Sequence, residues 1–269
     1  MTDIFAFGLG IARYSAGGTM LDCFFPQPLF KPGGVLAQAV AELPTGVSEI
    51  DADQAQKLDQ AYGGSLVSEK LVDAAQHLVA VRLDTDTAIA STAEAYLKLH
   101  LLSHRLSLPN SLNLDGIFAH LPNIAWTSAG PIAVEDLPEA ISQAHLENTQ
   151  LEVFAVDKFP KMVNYVVPAG VRIADASRIR LGAYLGDGTT VMHEGFINFN
   201  AGALGPNMVE GRISQGVTLG SGTDLGGSAS TMGTLSGGGN ITISIGENCL
   251  IGANAGTGIP LGDRCTIEA

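Results

Sequence analysis

From Val167 to Val209 the chain counts in sixes: Val167, Ile173, Ile179, Leu185, Val191, Ile197, Ala203 and Val209 follow one another without a break. Four places after each of the first six stands Val171, Ser177, Ala183, Thr189, Gly195 or Ala201. A period of six with one aliphatic and one small position describes a triangular coil of three short strands per turn, whose aliphatic corners stack into a core. One coil cannot bury its own aliphatic residues, so coils must lie above and below it. Residues roughly eighteen apart then sit in adjacent coils, about 4.8 Å from each other. That rule sets Met192 beneath Glu210, and Asp175 beneath His193, where the two are expected to pair.

After Val209 the phase shifts, resuming at Leu219, Leu225 and Thr231, then at Ile245 and Ile251, then at Leu261 and Ile267. Each break reads as a loop. The largest is Ser236 to Ser244, SGGGNITIS, where three consecutive glycines can adopt backbone angles that a coil wall forbids. Such an excursion is either where a solenoid carries its chemistry or a tolerated surface insertion, and the residues alone leave both open.

Composition places a boundary near residue 160. Of 33 glycines, 22 lie in 161–269, as tight corners require. The first 160 residues hold 8 Lys and Arg against 19 Asp and Glu, a net charge of −11, and the remainder 6 against 8, a net charge of −2. An acidic chain repels nucleic acid and anionic membrane, so no partner of either kind is expected, and the near-neutral coil is the better place for an anionic ligand. No stretch approaches the 18 or so apolar residues of a membrane span, and MTDIFAFGLGIARYS lacks the basic region of a secretory signal. A soluble, cytoplasmic protein is the expectation. Cys23, Cys249 and Cys265 lack metal-ligand spacing; the last two fill small-residue slots of the repeat and read as packed thiols.

Residues 1–110 read as an α/β domain. Phe5, Phe7, Leu9 and Ile11 alternate, predicting a strand with one buried face, and Val79, Val81 and Leu83 predict another. Helices are expected at Asp51–Tyr62 and at Thr87–Leu106, the second capped by Asp86 or Thr87, with Ile89, Ala93, Tyr96, Leu97 and His100 along one side. Residues 111–160, broken by proline and glycine, read as a connecting region, and 161–269 as the coil.

Four stretches carry a more specific signal: LKLHLLSHRLSLPNSLNLDGIFAHLPNIAWTSAGP (Leu97 to Pro131), VMHEGFINFNAG (Val191 to Gly202), MVEGRIS (Met208 to Ser214) and MGTLSGGG (Met232 to Gly239). Together they resemble one branch of the tetrahydrodipicolinate N-succinyltransferases. The resemblance covers most of the chain from about Phe5 onward. It implies a left-handed parallel β-helix after the α/β domain, and transfer of a succinyl group from succinyl-CoA to an amino-keto dicarboxylic acid of the diaminopimelate and lysine pathway. It also implies a homotrimer with active sites between neighbouring subunits.

Such a reaction needs a group to take the amine proton and a donor for the developing oxyanion. Glu210 follows the corner Val209 by one, so its side chain can leave the coil. By resemblance it is the catalytic carboxylate, acting as general base or as an acyl-anhydride nucleophile; a solvated wall carboxylate is the alternative. Gly233 matches a glycine beside the reacting group, whose N–H would polarise the thioester carbonyl. The resemblance further implies that Arg212, Gly227, Ser230, Ala253, Glu268 and Ala269 lie along the CoA. Arg212 is the strongest of these physically, since a guanidinium holds a carboxylate or phosphate with two parallel hydrogen bonds. A magnesium ion on the trimer axis is implied at Glu194, although Ser177 stands where relatives carry a second acid. Five basic residues, Lys158, Lys161, Arg172, Arg178 and Arg180, surround the start of the coil and are available to a dicarboxylate acceptor.

Competing functions meet specific obstacles. A hexapeptide-repeat carbonic anhydrase needs three histidines on one zinc, and His193 is the only histidine of the coil. A non-catalytic solenoid would show regular threonine rows without Glu210, Arg212 and the SGGG run. An acetyl-CoA-dependent acyltransferase remains an alternative. The chain stops two residues after the corner Ile267 without a polar cap, which reads as an incomplete coil.

Overall fold

A computed structural model describes residues 4–233 and 241–269. Two compact units emerge: residues 1–98 with 113–160, and residues 99–112 with 161–269.

The first unit is built on an antiparallel sheet. Its strands are β1 (Ala6–Tyr14), β2 (Met20–Phe24), β3 (Leu29–Phe30), β4 (Gly46–Ile50) and β5 (Leu78–Leu83), in the order β2-β1-β5-β4 with β3 also on β1. β5 is buried at every residue, as a central strand should be. β1 departs from the one-faced strand expected of it, since both faces are buried from Ala6 to Gly10. The residues between its large apolar side chains are Ala6, Gly8 and Gly10. A Cβ on Gly8 would lie 2.5 Å from the Phe25 ring and 2.8 Å from Leu97, so the second face is packed by neighbours that leave no room for a side chain.

Helix α1 (Gly34–Ala41) lies between β3 and β4 in the chain and helices α2 (Ala52–Tyr62) and α3 (Glu69–Ala74) between β4 and β5, with α2 in contact with both of the others. α2 falls where its pattern predicts. Asp51 and Gln54 form a reciprocal capping box, and Gly63 ends the helix at φ +108°. α4 (Thr92–Ser103) is shorter than expected and is capped by the Ser91 hydroxyl, which accepts from Glu94 N at 3.2 Å. Asp86 is occupied elsewhere. It receives the Lys98 ammonium at 2.7 Å, which also reaches the carbonyls of Thr87 and Asn113 at 2.6 and 2.7 Å. Those three acceptors satisfy a lysine that is only 1% exposed. α4 is buried on all sides from Ala93 to Ser103 rather than along one stripe.

After α5 (Ile117–His120), a small sheet of order β7-β6-β8 is formed by β6 (Ile124–Thr127), β7 (Gly130–Ala133) and β8 (Val153–Asp157), with α6 (Leu137–Leu146) between the last two. Lys158 donates to the carbonyl of Leu121. No helix among the described residues is long and apolar enough to cross a membrane.

The second unit is a parallel β-solenoid with three faces. The first face stacks Arg172–Ile173, Thr190–Val191, Met208–Val209, Asp224–Leu225, Leu250–Ile251 and Thr266–Ile267. The second carries Phe196–Ile197, Arg212–Ile213, Ser230–Thr231 and Gly256–Thr257, and the third Tyr184–Leu185, Gly202–Ala203, Thr218–Leu219 and Ser244–Ile245. Corner residues from Ile179 to Ile251 point inward and are at most 2% exposed. Each buried Ile, Leu or Val contributes about 1.5–3 kcal/mol relative to the same side chain in water. Val167 lies outside this core, 64% exposed. Cys249 is buried, with Sγ 3.1 Å from the Gly262 carbonyl, and Cys265 is half-buried; both are free thiols.

The breaks in phase have a definite form. Thr190 pairs with Met208, eighteen residues on, but Phe196 pairs with Arg212, sixteen on, and Thr218 with Ser244, twenty-six on. The first break is therefore a short corner from Val209 directly to Ile213, a core residue that the pattern of sixes passes over. The second is an excursion after Thr231. Its SGGG run, 236–239, lies outside the described residues. Segment 99–112 is held to the coil by Ser103, whose hydroxyl donates to the Ala183 carbonyl at 3.1 Å and accepts from Gly182 N at 2.8 Å, and by Arg105, which donates to the carbonyls of Leu185 and Ala169.

Candidate active site

The edge between the first and second faces gathers most of the expected site residues. On coils below and above, the chain takes six residues to pass from one core corner to the next, Val191 to Ile197 and Leu225 to Thr231. Between Val209 and Ile213 it takes four. That edge is therefore two residues shorter on this coil, and Glu210 stands on it. Its backbone is tied into the stack by N–H donation to the Leu225 carbonyl at 2.8 Å. Its side chain is half-buried and has no hydrogen-bond partner among the described residues. The pairing of Val191 with Val209 also sets Met192 beneath Glu210, as the repeat predicts.

Above Glu210 the next coil places Gly226 in register and Gly227 just after it. A Cβ built on Gly227 lies 3.5 Å from Glu210 Oε2, so the glycine borders the carboxylate without a side chain. The next coil brings Ala253 onto the same edge, where its N is 2.7 Å from a Cβ built on Gly226, and the coil after that Glu268, whose Cα is 3.6 Å from one built on Gly252. Ala253, Glu268 and Ala269 are exposed. Arg212 and Ser230 pair in register on the adjoining second face, and the Ser230 hydroxyl accepts from Arg212 Nε at 3.0 Å and from Nη2 at 2.7 Å. The guanidinium is thus oriented by a neutral partner and keeps its charge for an anion.

Gly233 lies elsewhere. It follows Thr231 onto the edge between the second and third faces, at the root of the excursion, and rests on the coil below with a built Cβ 2.9 Å from the Gln215 carbonyl. Within one chain the second face separates it from Glu210. Among the described residues no group accepts its N–H.

The early coils correct one expectation. Asp175 does not pair with His193. Its carboxylate accepts from Ser177 N at 2.8 Å and from Ser177 Oγ at 2.6 Å, and those bonds, with the Arg178 and Lys161 charges, hold it below the usual carboxylate range. A local turn two residues away reaches the carboxylate more readily than a side chain on the next coil. His193 and Glu194 are both exposed. Among the described residues no three His, Cys, Asp or Glu side chains come together as a metal site. Arg178 donates to the Glu194 carbonyl at 2.8 Å and Arg180 to Asn198 Oδ1 at 3.1 Å, both with the Phe196 ring within 6 Å. The exposed guanidinium of Arg172 is free among the described residues. A cleft of about 930 Å³ in the first unit, bordered by Phe5, Lys31, Gly33, Ala37 and Asp84, contains none of the expected site residues.

A parallel solenoid of hexapeptide repeats, with a half-buried carboxylate that has no hydrogen-bond partner among the described residues and an oriented arginine on the adjoining face, defines the class, a hexapeptide-repeat transferase. The comparisons are consistent in detail. Residues 242–269 match the model of the hexapeptide repeat of succinyl-transferase, and residues 121–161 that of the tetrahydrodipicolinate N-succinyltransferase middle region. The 2,3,4,5-tetrahydropyridine-2,6-dicarboxylate N-succinyltransferase of Pseudomonas aeruginosa is 54% identical over 277 residues, covering 99% of this chain and 80% of that protein. The protein of the same name from Vibrio cholerae is 52% identical, covering 98% and 80%. A crystal structure from Campylobacter jejuni, described as a 2,3,4,5-tetrahydropyridine-2-carboxylate N-succinyltransferase, superposes with a TM-score of 0.88 at 31% identity, covering 100% of this chain and 78% of that one. The chain belongs to the 2,3,4,5-tetrahydropyridine-2,6-dicarboxylate N-succinyltransferase family.

Proposed function

We propose that the protein transfers the succinyl group of succinyl-CoA to the amine of ring-opened tetrahydrodipicolinate, L-2-amino-6-oxopimelate, in diaminopimelate and lysine biosynthesis, acting in the cytoplasm. The observation that carries the catalytic assignment is the Glu210 carboxylate, half-buried, without a hydrogen-bond partner among the described residues and beside a glycine. As general base it takes a proton from the amine as nitrogen attacks the thioester carbonyl. The tetrahedral intermediate then collapses, the C–S bond breaks, and the CoA thiolate leaves and is protonated. As nucleophile the same carboxylate would displace CoA first and hold the succinyl group as an anhydride until the amine attacks it. The Gly233 N–H would stabilise the oxyanion in either route.

CoA is proposed to run along the first edge past Gly227, Ser230 and Ala253 toward Glu268 and Ala269, with Arg212 holding an anionic group. Because Glu210 and Gly233 lie on different edges of one chain, a site that uses both is best built from two copies. This supports a homotrimer with three shared sites. Exposed apolar side chains on the first face, Met208 at 40% and Leu250 at 44%, give such packing a contact surface. A structural magnesium on the three-fold axis would rest on one carboxylate per chain, Glu194, because Ser177 bears no charge. Low affinity and an unchanged rate after chelation are expected.

The test is release of CoA thiol from succinyl-CoA and from acetyl-CoA, with and without acceptor, for the native chain and Glu210→Ala. Release that needs the acceptor, prefers succinyl and drops by about 10²–10⁴ in the variant supports the reading. One equivalent of CoA released without acceptor selects the anhydride route, and release from acetyl-CoA alone would replace the donor.

A further inference from the structure

Left-handed backbone residues are stacked on the edge where Gly233 lies. Gly182 (φ +93°), Asn200 (φ +53°) and Gly216 (φ +81°) occupy successive coils, and each N–H above donates to the carbonyl below, Asn200 to Gly182 at 2.8 Å and Gly216 to Asn200 at 3.0 Å. Gly233 rests on the top of this column. A Cβ built on it lies 2.9 Å from the Gln215 carbonyl, and one built on Gly216 lies 4.0 Å from the Gly233 carbonyl. The Gln215–Gly216 peptide is therefore the ledge that decides where the Gly233 backbone sits.

That ledge is braced from outside the coil. Asn110, in the segment 99–112, donates from Nδ2 to the Gly216 carbonyl at 2.8 Å. Its own N–H donates to Asn200 Oδ1 at 2.7 Å, and its Oδ1 accepts from Asn200 Nδ2 at 3.2 Å. Asn110 is itself left-handed, at φ +65°, a conformation asparagine tolerates better than most residues. Its amide, which both donates and accepts, joins two consecutive coils at the level just under Gly233. Segment 99–112 is anchored at its other end by Ser103 and Arg105, so the brace has a fixed base.

We propose that Asn110 is a positioning residue for succinyl transfer, holding the Gly216 corner so that the Gly233 N–H is aimed at the thioester oxygen. This rests on the reading of Gly233 as the oxyanion donor. The role assigned to Asn110 is indirect, since its side-chain hydrogen bonds go to Gly216 and Asn200. Its effect passes through the 215–216 peptide, and a donor displaced by a fraction of an ångström loses transition-state stabilisation while ground-state binding persists.

The experiment compares Asn110→Gly, Asn110→Asp and Gly233→Ala with the native enzyme, measuring kcat, KM for succinyl-CoA, KM for the acceptor, and Tm. Asn110→Gly keeps the backbone conformation and removes the amide. Asn110→Asp keeps the contact with Asn200 Nδ2 but cannot donate to Gly216. In both, kcat is expected to fall roughly tenfold or more with each KM within about twofold. Should Asn110→Gly fail to fold, Asn110→Asp, which loses the donation to the Gly216 carbonyl, decides the question. Native kcat in the Asn110 variants, whatever their Tm, or a loss carried by KM, would overturn the proposal. Lost kcat in Gly233→Ala beside native kcat in Asn110→Gly rejects the brace alone, whereas native kcat in Gly233→Ala rejects the glycine's role and the brace with it.

Discussion

At the residue scale, His104 follows α4 with Nε2 buried and without a partner among the described residues, and burial lowers its pKa from 6.5. Between that lowered value and 6.5 the unfolded chain binds a proton that the folded chain refuses, so stability falls as pH drops below about 6.5 and stops falling below the folded pKa. Urea midpoints taken between about pH 7 and pH 5.5 should decline, and decline less steeply in His104→Leu. Arg264 is a different case. It is exposed, holds φ +56° and contributes its backbone N–H to the Glu247 carbonyl. Arg264→Gly relieves the Cβ strain and keeps that bond, and should raise stability by about 0.5–1 kcal/mol in thermal unfolding. Glu210 was legible in the sequence by its place after a corner and by the family resemblance. That no described residue hydrogen-bonds its side chain was not, because this depends on what the neighbouring coils present.

At the scale of the element, the decisive feature is the short corner from Val209 to Ile213. Inserting two residues after Glu210 would restore an eighteen-residue coil and lengthen that edge. The variant should keep its β circular dichroism and lose succinyl transfer by about a hundredfold, since a misplaced catalytic group loses its orientation; full activity would show that the short corner is incidental. In the first unit, β1 was predicted with one buried face because its large residues alternate. Gly8 and Gly10 carry the second face through contacts that sequence periodicity does not register. Gly8→Ala would drive a methyl group into Phe25 and Leu97 and should cost about 1–3 kcal/mol in urea unfolding. α4 was expected to begin near Thr87 because Asp86 resembles a cap. Lys98 claims Asp86, and a cap is available only where no buried charge competes for it.

At the scale of the molecule, the positions of Glu210 and Gly233 on different edges yield a prediction about assembly. If each active site takes Glu210 from one chain and Gly233 from its neighbour, Glu210→Ala and Gly233→Ala are each inactive alone. Subunits of the two, unfolded and refolded together, should recover roughly a quarter of native activity, the fraction of neighbouring pairs that supply both intact residues. No recovery in mixed assemblies confirmed by sedimentation would mean that both residues act within one chain.

The hexad spacing by itself determined that residues beyond about 160 form stacked coils. A period of six leaves the aliphatic corners no other way to be buried, and this is a local, repeated constraint. The motifs MVEGR and MGTL in turn marked Glu210 and Gly233. Only the tertiary structure decided that Val209 and Ile213 are consecutive corners, that Asp175 bonds Ser177 rather than His193, and that Asn110 braces a corner more than a hundred residues away at Gly216. The spacing states which residues must enter the core. It does not state how many residues a corner contains or which side chain reaches a carboxylate first, since those depend on coils and segments distant in the chain.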